Sequence, residues 1–435
     1  MSDGRGSTFD AVLALLIRVA GAGLVFGLQV LLARVMTVDG YGGFVTLWTW
    51  MLALGSFAAL GFAESSVRFL PRYHLRGRLT HVRSFWRFGL IVVLGASGLL
   101  ALLSSMLVLG FGPVDGVGLT VLLVAMGLPF LAIEYYLEGV ARSFGWFRLA
   151  AVPVYIIRPI VIGATCVALA SSGVALTLPV IGGVLIGTMA LVTAGLGLLV
   201  ARRIRRMTEG DLSPASRPQR RLWLMASLPL LLLSGLEDLT SYADVLLLSL
   251  ITGPEAVGVY FAAARTLALA GFVAYAMTLV AGRRFALDLA GRSRAQLQNS
   301  VLQSTRLTFW ATLLAVGATL LVGPFLLAAF GPDYVEGQGV MIVLGLGMVV
   351  RAMAGQAGEV LIVAGRQREG LAIGLCVLAM TVVLCLLLVP SLGMLGAAIA
   401  TASAMACRTA ALIVVLGRVE GLRIIAFGLP RLRPV

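Results

Sequence analysis

Fourteen charged residues lie inside apolar segments of this 435-residue sequence, where an ionised group is costly and usually has a purpose. The seven arginines are Arg18, Arg34, Arg68, Arg158, Arg265, Arg351 and Arg408. The seven acids are Glu64, Glu134, Glu138, Glu237, Asp238, Asp244 and Glu359. Groups of these types pair with each other, line a polar cavity, or carry an ion or proton across a membrane.

The surrounding segments explain why these charges are unusual. The chain is 60% hydrophobic and 12% charged, whereas soluble domains carry about 25% charged residues. Its mean hydropathy is +1.03. Because one aqueous fold could not bury so much apolar surface, we interpret the chain as a membrane protein. Alternation of apolar and polar residues at period two is absent, which argues against an outer-membrane barrel.

Twelve apolar segments are each long enough to cross a ~30 Å hydrocarbon core as a helix. The expected spans are 11–36, 41–70, 88–111, 118–141, 149–171, 175–200, 222–251, 257–281, 307–330, 338–365, 370–389 and 395–417. The first has no small-residue cleavage pattern, so we interpret it as a membrane helix and not as a signal peptide.

The arginines outside the spans predict the orientation. All 33 basic residues are arginine, a bias typical of a GC-rich bacterial gene. Every arginine outside the spans falls at a terminus or in an even-numbered connection. The odd-numbered connections contain no arginine, and their charged residues are all acids: Asp39, Asp115, Glu255, Asp333 and Glu336. We therefore expect a multi-pass protein of the bacterial cytoplasmic membrane, and the positive-inside rule places both of its termini in the cytoplasm.

Trp86, Trp146 and Trp223 lie at the expected cytoplasmic boundaries, where we expect interfacial anchors. The charge of +14 therefore indicates contact with membrane lipid and no nucleic-acid partner.

The sequence also divides into two similar halves. "LLARVMTVDGYGGF" from Leu31 aligns with "LLLSLITGPEAVGVY" from Leu246, and "FGP" follows the third span of each half. We expect an all-α fold with about 12 transmembrane helices in two pseudo-symmetric six-helix bundles around a central cavity. The expected parts are an N-terminal bundle at 1–200, a cytoplasmic linker at 201–221, and a C-terminal bundle with a short tail at 222–435.

The rise of 1.5 Å per residue allows the depths of the charges to be compared. The pairs of matching depth are Arg18 with Glu64, Glu134 with Arg158, Asp244 with Arg265 and, more loosely, Glu359 with Arg408. Glu64 and Arg68 also have the i,i+4 spacing of an intrahelical pair. All of these pairs could be purely structural.

A second group of charges has no partner at matching depth and is the better set of functional candidates. Arg34 and Arg351 lack an acid, and Glu237 and Asp238 lack a base. Arg34 could instead snorkel to the outer interface, and Glu138 could do so at the inner one.

Other chemistry has little support in the sequence. The four cysteines lie in apolar segments without a CxxC pair, and His74 and His81 share one basic loop, so we expect no metal site and no cofactor. No phosphate-binding loop, HExxH motif or nucleophile–base set is present, so we expect a transporter and no catalytic residues.

Several stretches resemble Wzx-type polysaccharide flippases, which belong to the multidrug/oligosaccharidyl-lipid/polysaccharide exporter superfamily and have a MATE-like fold. These stretches are "LLARVMTVDGYGGFVTL", "ALGFAESSVRFLPR", "LPLLLLSGLEDLTSYADVLLLSLITGPEAVGVYFAAART", "FLLAAFGPDYVEG" and "VPSLGMLGAAIATASA". The likeness covers nearly the whole chain. The sequence departs from the family in "VAGRRFALDLAG", where Arg283 and Arg284 replace a proline-led segment at the cytoplasmic end of the eighth helix, where the inner gate is expected.

The resemblance implies a flippase for a polyprenyl-diphosphate-linked oligosaccharide, working by alternating access with a proton or cation, and a partnership with the polysaccharide assembly machinery. It implies an anion-binding cavity lined by Arg34, Arg158, Arg265 and Arg351. Glu237, Asp238 and Asp244 would be coupling or gating acids. Arg18, Glu64, Glu134, Glu359 and Arg408 would form structural pairs. A multidrug exporter of the same superfamily is the first alternative, and a membrane-embedded glycan polymerase or ligase is the second.

Overall fold

The computed structural model describes residues 3–111, 116–208, 217–272, 294–419 and 421. All elements in this part of the chain are helical, as expected in a membrane, where a helix satisfies its backbone hydrogen bonds internally. Eight helices of the described part are long and apolar enough to cross a membrane, and a bent pair raises this number to nine. The chain forms two compact units, Met1–Asp238 and Leu239–Val435.

The described part of the first unit contains eight complete helices and the first part of a ninth. They are α1 (Asp3–Val35), α2 (Val38–Ala58), α3 (Phe62–Leu75), α4 (Leu79–Phe111), α5 (Gly116–Ser143), α6 (Phe147–Val152), α7 (Arg158–Ser171), α8 (Leu178–Met207) and α9 (Arg217–Ile251). A π-helical turn, Pro153–Ile157, joins α6 to α7. Helix α5 is central, because it packs on α2, α3, α4 and α8.

The expected second span is broken in the structure. Helices α2 and α3 meet at a bend of 44°. The break lies at Leu60 and Gly61, which both have positive φ angles (49° and 69°). A side chain at Gly61 would collide with the Ser227 carbonyl oxygen on α9. Close backbone packing therefore requires glycine at the break.

An aromatic cluster joins the start of α9 to the rest of the first unit. Trp223 is fully buried and packs against Phe85 and Phe88. Its indole N–H donates to the Tyr73 hydroxyl at 2.9 Å. Trp223 is therefore a core residue and not the interfacial anchor predicted from its position. The same contacts place the start of α9 in the first compact unit, Met1–Asp238.

In its described residues, the second unit contains the end of α9 and five further helices. These are α10 (Pro254–Ala268), α11 (Arg294–Phe330), α12 (Gln338–Ala352), α13 (Ala357–Val363) and α14 (Gln367–Val419), with a 3-10 turn, Pro332–Gly337, before α12. Helix α12 packs on α10, α11 and α14. The expected tenth span is broken between α12 and α13 at a turn that contains Gly355, whose φ is +52°.

The last two expected spans lie within α14. Gly393 has non-helical angles (φ 54°, ψ −131°). A side chain at Gly396 would come within 2.5 Å of the Leu388 carbonyl oxygen, so the chain turns back on itself here. The element therefore consists of two helical arms joined at Gly393, and the expected spans 370–389 and 395–417 correspond to these arms.

Candidate functional site

A buried ion pair joins α5 to α7 in the first unit. The Arg158 guanidinium Nη1 lies 2.8 Å from Glu134 Oε1. The side chains are 12% and 2% exposed, respectively. The arginine also lies over the Trp48 ring of α2, 5.1 Å from its centroid. Three helices therefore contribute to one desolvated charge site.

Two local features position this pair. Arg158 begins α7 directly after the π-helical turn, and a π turn inserted in a helix is often found at functional sites. Helix α1 approaches that turn closely, since a side chain at Gly21 would come within 2.7 Å of Tyr155 Cβ. The second carboxylate oxygen of Glu134 is buried and has no hydrogen-bond partner in the described part of the chain. The carboxylate therefore retains an unused acceptor.

Four acids lie around Arg142 and the break between α2 and α3. Arg142 lies 3.5 Å from Glu64 and 3.7 Å from Glu138. Asp238 on α9 hydrogen-bonds Ser56, and the charges of Glu237 and Glu64 lie close enough to act on it. The structure thus brings Glu64 to Arg142. The side chain of Arg18, its expected partner, lies outside the described residues.

Asp244 has a different environment in the second unit. Its Oδ2 accepts a hydrogen bond from the Tyr260 hydroxyl at 2.6 Å and one from Thr401 at 3.4 Å. Its Oδ1 accepts from the backbone N–H of Val245 at 2.8 Å. Tyr260 is fully buried. The carboxylate is therefore satisfied by neutral donors, and the expected partner Arg265 instead packs over the Phe261 ring at 4.6 Å.

The structure also brings Arg351 of α12 close to Arg408 of α14, near enough for their charges to repel. The Arg351 side chain is exposed and that of Arg408 is half-buried. Neither forms an ion pair with a carboxylate within the described residues, so Arg408 does not pair with Glu359. Among the described residues, these two positive charges therefore have no compensating acid.

The remaining sequence candidates are less constrained. Arg34 lies exposed in the last turn of α1. Arg283 and Arg284, and with them the end of the expected eighth span, lie outside the described residues. In the described part of the chain, no group of three or more His, Cys, Asp or Glu side chains could hold a metal ion.

Sequence reasoning missed the neutral partners of these charges, which are Trp48, Ser56, Tyr260 and Thr401. Tyr260 had one available signal, since it ends the repeated "VGVY" turn and aligns with Phe44 in the first half. The other three lie in apolar segments without a distinguishing pattern. Neutral side chains become recognisable as partners only when the helices are packed.

Comparisons with known proteins bear on both fold and family. The chain is similar to an inward-facing multidrug resistance MATE family transporter of the MOP superfamily, at 16% identity and a TM-score of 0.70, with 94% of each chain covered. It is similar to the lipid II flippase MurJ in an inward closed conformation, at 15% identity and a TM-score of 0.71, covering 93% of this chain and 87% of MurJ. A third similar structure is a mutant of the Vibrio cholerae MATE transporter VcmN, at 15% identity and a TM-score of 0.63, covering 94% of this chain and 96% of the transporter. Likeness at these identities shows a MATE-like membrane transporter fold.

The sequence itself identifies the family. No curated protein matches the chain significantly. The sequence profile for polysaccharide biosynthesis proteins, however, matches residues 9–281, which is well over half of the chain. This multi-pass membrane protein therefore belongs to the polysaccharide biosynthesis protein family.

Proposed function

We propose that the protein is a flippase that moves a polyprenyl-diphosphate-linked oligosaccharide from the inner to the outer leaflet of a bacterial cytoplasmic membrane. The family is one of polysaccharide biosynthesis, and MurJ, which shares the fold, is a flippase for lipid II. In this proposal both termini are cytoplasmic, and the protein receives its cargo from the polysaccharide assembly machinery. The cargo would be a repeat unit of O-antigen, capsule or exopolysaccharide.

The observation that carries the proposal is the uncompensated positive charge of the second unit. Arg265, Arg351 and Arg408 lie within spans, and none forms an ion pair with a carboxylate in the described residues. A charge at membrane depth requires a partner, since the hydrocarbon offers no solvation. An anionic headgroup supplies that partner during transport.

The first unit would contribute Arg34 and Arg158 to the cargo path. Arg158 is held by Glu134 in this structure, at 2.8 Å. Contact with cargo requires that this pair opens, which is compatible with a transporter that alternates between conformations. Binding energy from the anionic headgroup would then compensate for the lost ion pair.

The acids of α9 would couple transport to a proton or cation. They differ in environment, because Asp238 and Glu237 lie among other acids near Glu64, whereas Asp244 is held by Tyr260 and Thr401. A carboxylate bonded only by neutral donors can gain a proton without leaving an unpaired positive charge. We therefore expect Asp244→Asn to remove the dependence of transport on the proton or cation gradient.

The test is transport of a fluorescent polyprenyl-diphosphate sugar in proteoliposomes, measured as protection from a membrane-impermeant quencher. The wild-type protein should move the probe, and Arg351→Ala or Arg158→Ala should abolish movement while the protein still inserts. Arg148→Ala is the control for Arg158→Ala, because Arg148 is an exposed arginine outside the spans. Transport by both variants at the wild-type rate would remove these arginines from the cargo path.

The same preparation distinguishes the alternatives. A multidrug exporter of this fold would move cationic dyes and leave the glycolipid in place. A glycan polymerase or ligase would change the length of the glycan, which the proposed flippase leaves intact. Either result would overturn the proposed function.

A further inference from the structure

Close packing of two helices sets the position of Arg351 and Arg408. Gly347 of α12 lies against α14, where a side chain would come within 2.9 Å of Ala402 Cα and 3.2 Å of the Met405 sulfur. Arg351 lies four residues after Gly347, which is about one helical turn. Arg408 lies three residues after Met405, also about one turn. Both arginines therefore lie about one turn beyond the contact between the two helices. At this separation the positive charge of Arg408 acts on Arg351.

This arrangement is unfavourable in the absence of an anion. Two like charges held close together destabilise each other, and a structural role would normally be fulfilled by an arginine and an acid. The first unit contains such a pair in Glu134 and Arg158. The two arginines of the second unit have no equivalent acid among the described residues. The missing partner must then come from outside this part of the chain.

We propose that Arg351 and Arg408 together bind one diphosphate group, with each guanidinium donating to a different phosphate. This inference rests on the proposed function and assigns Arg351 and Arg408 to one shared site for the diphosphate of the cargo. Two adjacent cations match a group with at least two negative charges, whereas a carboxylate or a phosphodiester would neutralise only one of them. The planar guanidinium also binds phosphate oxygens through paired N–H donors, a geometry that lysine does not provide.

The site remains accessible to such a ligand. The Arg351 side chain is exposed and Arg408 is half-buried. The small residues Gly347 and Ala402 keep the helices close, so one ligand reaches both arginines.

Binding measurements on the purified full chain test this inference. Farnesyl diphosphate, farnesyl monophosphate and inorganic pyrophosphate are titrated by calorimetry into wild-type protein and into Arg351→Ala, Arg408→Ala and Arg408→Glu. The wild type should bind farnesyl diphosphate more tightly than the monophosphate. Each variant should weaken diphosphate binding by about tenfold or more, the usual effect of losing a charge-assisted hydrogen bond. Pyrophosphate shows whether the diphosphate alone is sufficient or the lipid chain is also required.

Arg408→Glu separates ligand binding from folding. It gives Arg351 an acid within the chain, so its melting temperature without ligand should equal or exceed that of the wild type while diphosphate binding is lost. Arg418→Ala is the control, because Arg418 is exposed in the last turn of the same helix. Diphosphate binding that is unchanged in Arg408→Ala, or weakened equally in Arg418→Ala, would overturn the inference.

The outcomes also separate this site from the proposed function. If the wild type transports the lipid-linked sugar and Arg408→Ala does so equally well, the paired site is wrong and the flippase proposal stands. If the paired site binds diphosphate but the wild type transports no glycolipid, the flippase proposal is wrong and the site stands. Absence of diphosphate binding in the wild type overturns the paired site.

Discussion

Glu134→Gln removes the negative charge that faces Arg158 while preserving the size of the side chain. The guanidinium would then remain 12% exposed and unpaired within a membrane span. Two unit charges 2.8 Å apart attract by about 6 kcal/mol at an effective dielectric constant near 20. Desolvation of both groups offsets part of this attraction, and removal of one partner of a buried pair usually costs about 3–5 kcal/mol.

The expected loss is large enough to measure directly. A unit of this size loses about 2–4 °C of melting temperature per kcal/mol, so Glu134→Gln should lower the transition by roughly 6–20 °C. The assay is thermal unfolding of purified protein in detergent, followed by tryptophan fluorescence. The matched control is Glu138→Gln on the same helix. Its partner Arg142 is 38% exposed and 3.7 Å away, so we expect a loss below about 1 kcal/mol.

A double variant tests whether the loss comes from the unpaired charge. Glu134→Leu with Arg158→Met replaces the pair by apolar groups, an exchange that is often neutral in buried sites. We expect the double variant to be more stable than either single variant. The reasoning is refuted if Glu134→Gln behaves like Glu138→Gln, or if the two single losses simply add. Loss of glycolipid transport in a stable double variant would show that Arg158 also acts on the cargo.

Three further predictions concern other parts of the chain. Tyr260→Phe removes the hydroxyl that donates to Asp244 and should destabilise the protein by about 1–3 kcal/mol, and an unchanged melting temperature would contradict this hydrogen bond. Gly61→Ala should be much more destabilising than Gly77→Ala. Both glycines have positive φ angles (69° and 66°), but only Gly61 packs against neighbouring backbone, and equal losses would show that strain alone matters. Arg34→Lys should reduce glycolipid transport if Arg34 binds cargo through its planar guanidinium, whereas wild-type transport by the lysine variant would indicate that Arg34 only snorkels to the interface.

The apolar spans could be predicted from the sequence because their lengths follow from the thickness of the hydrocarbon core. The helical class is confirmed, and the structure contains helices in all twelve expected spans, although the eighth is described only in part. The break at Gly61 was not predicted. Its neighbours are as apolar as the rest of the span, and the reason for the break is the Ser227 carbonyl of a distant helix.

The aromatic residues also show that contacts between distant helices cannot be predicted from the local sequence. Trp223 follows a charged linker, and this position is equally compatible with an interfacial anchor and with a buried residue. Its burial depends on Tyr73, Phe85 and Phe88, which come from α3 and α4. The orientation of the chain in the membrane stays a prediction of the positive-inside rule.

The sequence by itself predicted which residues lie in apolar spans and how far each lies from the end of its span, because the helical rise of 1.5 Å per residue is constant. For Glu134 and Arg158, equal depth coincides with contact. For Asp244 and Arg265 it does not, since Asp244 bonds Tyr260 and Arg265 packs on Phe261. Only the tertiary structure decided between these cases, because the direction in which a side chain points depends on how each helix is rotated against its neighbours. Close contact through small residues sets that rotation, as Gly347 does for Arg351.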